Sequence, residues 1–96
     1  MHNYELALVV SAQIDDEARA SVIENAKALI ERFGGQVTDV VEWGKKKLAY
    51  EIKKQSEAFY YFIQFDADGT APAEIERRAR IMDNVFRYLI VRTDEK

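Results

Sequence analysis

Few side chains in this sequence are of the types that carry catalysis. Its only histidine, His2, follows the initiator methionine, at a chain end that is rarely held in one geometry. The serines Ser11, Ser21 and Ser56 therefore have no histidine base that could activate them as nucleophiles. Because the chain contains no cysteine, thiolate chemistry and disulfides are excluded as well. The pattern predicts that the protein is not an enzyme.

Four short segments match at most part of a ligand site. The acidic run at 15–17 precedes a helical pattern, where carboxylates cap a helix rather than work as an acid–base pair. Residues 66–69, Asp-Ala-Asp-Gly, open like a calcium loop but lack its downstream glutamate. No lysine follows Gly34 and Gly35 at phosphate-loop spacing, and residues 11–14 lack the cation of an acylphosphatase anion loop. We therefore expect no catalytic residue, no metal site and no cofactor.

Basic side chains are the other chemical feature, and they are concentrated in the second half of the chain. The net charge is −3, but residues 1–42 contribute −5 (three basic, eight acidic) and residues 43–92 contribute +3 (ten basic, seven acidic). An acidic protein with a locally basic surface is able to contact an RNA backbone. The alternative interpretation of the same charge distribution is a lysine-rich face that is only exposed to water. The candidate phosphate contacts are Lys45, Lys46, Lys53, Lys54, Arg80, Arg87 and Arg92.

Four of these cations, Lys45, Lys46, Lys53 and Lys54, lie within a stretch, residues 43–65, that has the form of a β-hairpin. Five polar residues, 53–57, separate two arms rich in β-branched and aromatic side chains, which predicts a loop of medium length. In the first arm, alternation places Leu48, Tyr50 and Ile52 on one face and predicts one buried side. In the second arm both faces are mostly apolar: Phe59, Tyr61, Ile63 and Phe65 on one, Tyr60, Phe62 and Gln64 on the other.

The segments before the hairpin predict a strand, a helix and a second strand. Residues 4–10 alternate as a strand, and over 15–33 apolar residues recur every three or four positions, as in an amphipathic helix. Gly34-Gly35 supplies the left-handed residue that commonly ends a helix. Residues 37–41 resume a strand that continues through an irregularity at Trp43-Gly44, because a glycine inside a strand pattern often marks a bulge.

The segments after the hairpin predict a second helix and a last strand. After a turn at 66–69, Pro72 is suited to the first turn of a helix, and residues 86–92 alternate as a strand. The apolar side of this second helix would be Ile75, Ala79 and Met82. The order is that of a ferredoxin-like βαββαβ fold of the α+β class, and we expect one such domain over residues 1–96.

Right-handed crossovers place both helices on one face of the four-stranded antiparallel sheet, so the other face is left bare. The predicted core on the covered face is Leu6, Leu8, Tyr61, Ile63, Phe65, Tyr88 and Ile90. The open face would carry Val9 with Tyr60, Phe62, Leu89 and Val91, which is unusually apolar for a solvated surface. We interpret Tyr60, Phe62, Leu89 and Val91 as a patch that binds a partner protein.

An RNA-recognition motif is a rival interpretation of the same open face. It has the same strand order and stacks bases on aromatic residues of its third strand. Phe62, Ile63 and Phe65 match the end of that aromatic pattern, but the basic and glycine positions before them hold Ala58 and two aromatic residues. Shielding by a protein partner is therefore the favoured use of the open face.

Residues 44–53, Gly-Lys-Lys-Lys-Leu-Ala-Tyr-Glu-Ile-Lys, resemble the signature segment of the bacterial small-subunit ribosomal protein six family. Tyr4-Glu5 near the start and residues 80–85, Arg-Ile-Met-Asp-Asn-Val, extend the resemblance over nearly the whole chain. His2 and Asn3 stand where that family usually has basic residues. The resemblance implies a non-enzymatic component of the small ribosomal subunit that binds small-subunit rRNA as a heterodimer with small-subunit ribosomal protein eighteen.

The location implied by the resemblance is the cytoplasm, in the small ribosomal subunit. We expect no signal peptide and no membrane contact, since apolar runs such as 6–10 are far too short to cross a bilayer. We also expect no small-molecule substrate. The alternative function is that of a ligand-sensing or dimerising regulatory domain of the same fold, which would self-associate and bind a metabolite without RNA.

Overall fold

The computed structural model describes residues 2–93, which form a four-stranded sheet and two helices. Neighbouring strands are antiparallel, and their order in the sheet is β2-β3-β1-β4. This confirms the ferredoxin-like βαββαβ fold. No helix in the described residues is long and apolar enough to span a membrane. Along the chain the elements are β1 (His2–Ser11), α1 (Asp16–Arg32), β2 (Gln36–Ile52), β3 (Gln55–Ala67), α2 (Ala71–Ala79) and β4 (Val85–Arg92).

Both ends of α1 are stabilised by local hydrogen bonds. Asp15 is the N-cap, and its carboxylate accepts a hydrogen bond of 2.8 Å from the amide of Ala18. At the other end Gly34 has φ +85°, and the amide of Gly35 donates to the carbonyl of Ile30 at 2.9 Å. This pairing is the Schellman arrangement that satisfies the last helical carbonyls. The acidic run at 15–17 is thus a helix start.

Substituting Gly35 with alanine is expected to lower the free energy of unfolding by about 1–3 kcal/mol. A Cβ at Gly35 would lie 2.6 Å from Ile30 Cγ2 and 3.0 Å from the Ile30 carbonyl oxygen, so the helix end must shift. Urea denaturation measures the change. Gly69→Ala is the control, because a Cβ there meets no atom within 4 Å, and its effect is expected to stay within about 0.5 kcal/mol. Equal effects of the two substitutions would contradict the packing argument.

The core lies between the sheet and the two helices, as predicted. Leu6, Leu8, Tyr61, Ile63 and Phe65 are buried there against α1 and α2, together with Tyr4, Val10, Val22, Ile23, Ala26, Ile30, Ala71 and Ile75. Tyr88 and Ile90 pack against this cluster but are only half-buried. They lie on β4, an edge strand, and α2 is only nine residues long, so the helical layer covers β4 less completely than β1 and β3.

The tip of the central hairpin is tighter than the sequence predicted. Ile52 pairs with Gln55, so the connection is Lys53-Lys54 rather than a five-residue loop. Both lysines have positive φ, +50° and +66°, which is the backbone geometry of a two-residue hairpin turn. Such turns usually contain asparagine or glycine, and neither occurs here, so the composition of the segment concealed the turn.

Two boundaries in the second half also differ from the prediction. The strand β3 continues to Ala67, so the turn predicted from residue 66 begins at Asp68. The helix α2 ends at Ala79, and Met82 lies in the following turn, where its amide donates to the Ala79 carbonyl at 3.2 Å. Backbone hydrogen bonds between residues three apart keep Met82 on the side that packs against the core. For this reason the apolar spacing in the sequence continues past the end of the helix.

Candidate functional site

The face of the sheet opposite the helices is apolar and open to solvent. Cross-strand pairing places Phe62, Ala7 and Leu89 in one row of this face, and Tyr60 and Val9 in the next. Leu89 is 61% exposed, while Tyr60 and Phe62 are half-buried. An open groove of about 560 Å³ follows this surface between β3 and β4. The prediction that helices cover only one face is therefore confirmed.

Val91 extends the open face toward the end of β4. It pairs with Glu5 of β1 and is 41% exposed. The four residues predicted to bind a partner, Tyr60, Phe62, Leu89 and Val91, thus alternate onto one face. Their role in binding stays a prediction, since pairing and exposure establish position only.

Trp43 also belongs to this face, although the sequence pattern did not indicate it. The register of β2 with β3 shifts between Glu42 and Gly44, and Gly44 has φ +79°. A bulge of this kind redirects the side chain of the extra residue. The Trp43 ring lies 4.6 Å from the ring of Phe62 and is 58% exposed. The irregularity at Trp43-Gly44 therefore adds a large aromatic side chain to the candidate patch.

The first arm of the hairpin does not have the buried side that its alternation predicted. Tyr50 is 61% exposed, and Leu48 and Ile52 are only half-buried. The register breaks between Lys47 and Ile52, so the arm does not continue as a regular ladder. The prediction was wrong because alternation identifies a shared face only where neighbouring residues keep the pleat, and here they do not.

Most of the predicted phosphate contacts lie at the hairpin end of the sheet. Lys53 and Arg80 line one groove, together with Asn84 and Phe86. Lys45 and Lys54 line a second groove beside the loop that joins β1 to α1. Lys46 pairs with Ala58 on the neighbouring strand and is exposed. The fold therefore brings these cations, from β2, the hairpin tip and the end of α2, to one region of the surface.

The remaining two arginines occupy different places. Arg87 pairs with Val9 and lines the open apolar groove, where its guanidinium donates to the hydroxyl of Tyr50. Arg92 is at the opposite end of β4, and its Nη2 lies 2.7 Å from Nδ1 of His2. Arg92 is thus separated from the hairpin group, and the seven candidates do not form one continuous patch.

Arg80 is positioned by a neighbouring side chain. Its Nε donates a hydrogen bond of 3.0 Å to the hydroxyl of Tyr88 on β4. This hydrogen bond, with the charge interaction between the same two groups, raises the pKa of the Arg80 guanidinium above its ordinary value. The contact holds the guanidinium, at the end of α2, near the hairpin tip. By contrast, Arg77 forms a surface ion pair with Glu74 at 3.5 Å.

The described residues contain no arrangement suited to catalysis. Ser11 is buried and donates to the side-chain oxygen of Gln55 at 2.9 Å, while the imidazole of His2 lies at the other end of β1. Within residues 2–93 no three histidine or acidic side chains cluster so as to hold a metal ion. What the surface offers is an apolar aromatic face beside grouped cations, which is suited to binding macromolecules.

Comparisons with known proteins point to one family. The profile of the family described as ribosomal protein S6 matches residues 3–92. The small ribosomal subunit protein bS6 of Caldanaerobacter subterraneus subsp. tengcongensis is 45% identical over 95 residues, which cover 99% of this chain and 100% of that protein. The bS6 protein of Clostridium kluyveri is 45% identical over 96 residues, the full length of both.

Solved structures include one with the same fold over almost the whole chain. The crystal structure of 30S ribosomal protein S6 from Thermotoga maritima superposes with a TM-score of 0.90 at 31% sequence identity. The superposition covers 97% of this chain and 88% of that one.

Proposed function

The chain belongs to the ribosomal protein S6 family, and we propose that it binds small-subunit rRNA as a heterodimer with small-subunit ribosomal protein eighteen. Members of this family are structural proteins of the small ribosomal subunit in the bacterial cytoplasm and are not enzymes. The proposal concerns how this chain is held in the subunit. Its open sheet face binds the partner protein, and its cations at the hairpin end contact RNA phosphates.

The observation that carries the proposal is the aromatic composition of the open face. Trp43, Tyr60 and Phe62 lie together on it, with Leu89 exposed on the neighbouring edge strand. Tryptophan, tyrosine and phenylalanine are enriched in protein interfaces, where burying their rings contributes much of the binding energy. A solvated sheet face has no comparable reason to carry three of them. The face is therefore suited to a protein partner.

The distribution of charge explains why the partner is needed for RNA binding. The chain has a net charge of −3, so its overall field opposes a polyanion. This net charge already includes the candidate cations at the hairpin end, so the chain alone should bind a polyanion only weakly. A basic partner seated on the open face would add positive charge beside them. RNA affinity should then be much greater for the pair than for either protein alone.

The proposal is tested by measuring RNA affinity with and without the partner. A small-subunit rRNA fragment that binds the purified pair is titrated with this chain alone, with protein eighteen alone and with both, at several salt concentrations. We expect tight, strongly salt-dependent binding only for the pair. Equal affinity of this chain with and without the partner would contradict the heterodimer. Self-association with metabolite binding and no RNA affinity would support the regulatory-domain alternative.

Replacing both tip lysines, Lys53 and Lys54, with alanine is expected to weaken RNA binding by the pair. Each lost phosphate contact should reduce the slope of log affinity against log salt by about 1. The measurement is a salt titration of RNA binding. The control is Lys27→Ala, because Lys27 lies on α1 and is paired with Glu24 at 3.3 Å. If Lys27→Ala reduced the slope as much as the double replacement, the hairpin tip would not be a specific contact.

A further inference from the structure

Residues 48–51 form a segment of β2 that we call the strap. The pairs Lys47–Glu57 and Ile52–Gln55 enclose it, so four residues of β2 stand against the single residue Ser56 of β3. A regular antiparallel ladder has equal numbers of residues on its two strands. The extra residues of the strap therefore cannot all lie in the plane of the sheet, and the strand must bend out of it.

Tyr50, in the strap, reaches the far edge of the sheet. Arg87 donates a hydrogen bond to its hydroxyl, and the guanidinium carbon lies 5.3 Å from the centre of its ring. Arg87 belongs to β4, whereas Tyr50 belongs to β2, and both β3 and β1 lie between these two strands. The contact therefore crosses the open face near its hairpin end.

The next residues of the open face toward the hairpin tip are buried. Ser11 pairs with Ala58, and by alternation the two side chains point to the same face as Val9 and Tyr60. Ala58 is 0% exposed and Ser11 is 4% exposed, although Tyr60 in the next row is only half-buried. The open face is thus buried at its hairpin end, beside the Tyr50–Arg87 contact, where Ser11 also donates a hydrogen bond to the side chain of Gln55, and it is open elsewhere.

Three of the four strap residues, Ala49, Tyr50 and Glu51, are exposed. Tyr50 is 61% exposed, so its contact with Arg87 forms in water, where hydrogen bonds and cation–π interactions contribute little. The free energy needed to open the strap is that of separating a local segment from the sheet, and it does not include unfolding of the core. We propose that the strap opens and closes over the hairpin end of the open face without global unfolding, and that the Tyr50–Arg87 contact holds it closed.

Opening the strap would change the surface in two ways. It would uncover Ala58 and Ser11, which lengthens the apolar groove, and it would free the Arg87 guanidinium from Tyr50. An occupant that needs either feature binds the open form and shifts the population toward it. That this occupant is protein eighteen rests on the proposed function. The opening itself does not, because it is a property of the isolated chain.

Thiol labelling of the isolated protein tests the opening directly, because the natural chain contains no cysteine. Ala58→Cys places a thiol beneath the strap, and Ala26→Cys places one in the middle of α1, where Ala26 is also 0% exposed. The probe is dithionitrobenzoate under native conditions. We expect Ala58→Cys to react more than about tenfold faster than Ala26→Cys, because local opening suffices for the first site.

The decisive comparison adds Tyr50→Ala to both cysteine variants. Labelling of Ala58→Cys should become about fivefold faster, while labelling of Ala26→Cys should not change. No acceleration at residue 58, or the same acceleration at both sites, would overturn the proposal, since the second result reports global stability. If Ala58→Cys does not fold, Ser11→Cys places a thiol of nearly the same size beneath the same crossing. Failure of partner binding in a separate assay would leave this result intact.

Discussion

In the proposed heterodimer with small-subunit ribosomal protein eighteen, replacing Phe62 with aspartate is expected to weaken binding by about 2–4 kcal/mol, or roughly 30- to 800-fold. Phe62 lies at the centre of the open face, between Ala7 of β1 and Val41 of β2, and its ring packs on Trp43. An aspartate there would lose the aromatic contact and place an unpaired charge in the interface. Isothermal titration calorimetry of the two purified proteins measures the loss.

The matched control is Gln64→Asp, which introduces the same charge two residues along the same face of β3. Gln64 is exposed, and it pairs with Glu5 rather than with an apolar residue. We expect a change of less than about 1 kcal/mol in partner binding, as is usual away from the buried centre of an interface. Urea denaturation of Phe62→Asp must show that the chain remains folded. Unchanged partner affinity in a folded Phe62→Asp protein would exclude the open face as the docking surface.

Replacing Ile63 with alanine is expected to lower the free energy of unfolding by about 2–5 kcal/mol. Ile63 is 0% exposed on the helix-covered face, where it pairs with Leu6 on one side and Val40 on the other. Removing three carbon atoms from this position leaves a cavity that the sheet cannot close. Domains of this size have only about 5–15 kcal/mol of stability, so the loss would be a large part of the total.

The same substitution at Ile81 separates burial from residue type. Ile81 follows α2 and is 75% exposed, so Ile81→Ala should change the free energy of unfolding by no more than about 0.5 kcal/mol. Chemical denaturation of both variants, analysed with a common slope, provides the comparison. Similar losses at the two positions would mean that the covered face is not the dominant source of stability.

The hairpin shows why a candidate site was only partly predictable from the sequence. Alternation along β3 correctly assigned Tyr61 and Ile63 to the core and Tyr60 and Phe62 to the open face, because every residue there keeps the pleat. The same rule failed for Tyr50. Four residues of the strap stand opposite one residue of β3, and no local pattern indicates how such an excess is accommodated.

The positions of Trp43 and Arg87 in the candidate site were also not predictable from the sequence pattern. The glycine after Trp43 predicted a bulge, but only the pairing of β2 with β3 places the indole ring against Phe62. Arg87 was predicted as a phosphate contact from its charge, and that role stays a prediction; its position beside the apolar groove, in contact with Tyr50, follows from the fold. Contacts between residues 37 apart in the chain depend on which strands become neighbours, and local periodicity carries no information about that.

The amino-acid sequence alone determined the order of the elements, the α+β class, the capped ends of α1 and the division of β3 into a covered and an open face. These features depend on residues close together in the chain, whose spacing and side-chain types set the local geometry. Tertiary structure alone decided where the strap crosses the sheet, where Trp43 points and which cations meet at the hairpin end. Those outcomes depend on strand register, since one inserted residue reverses the faces of all the residues that follow it in a strand.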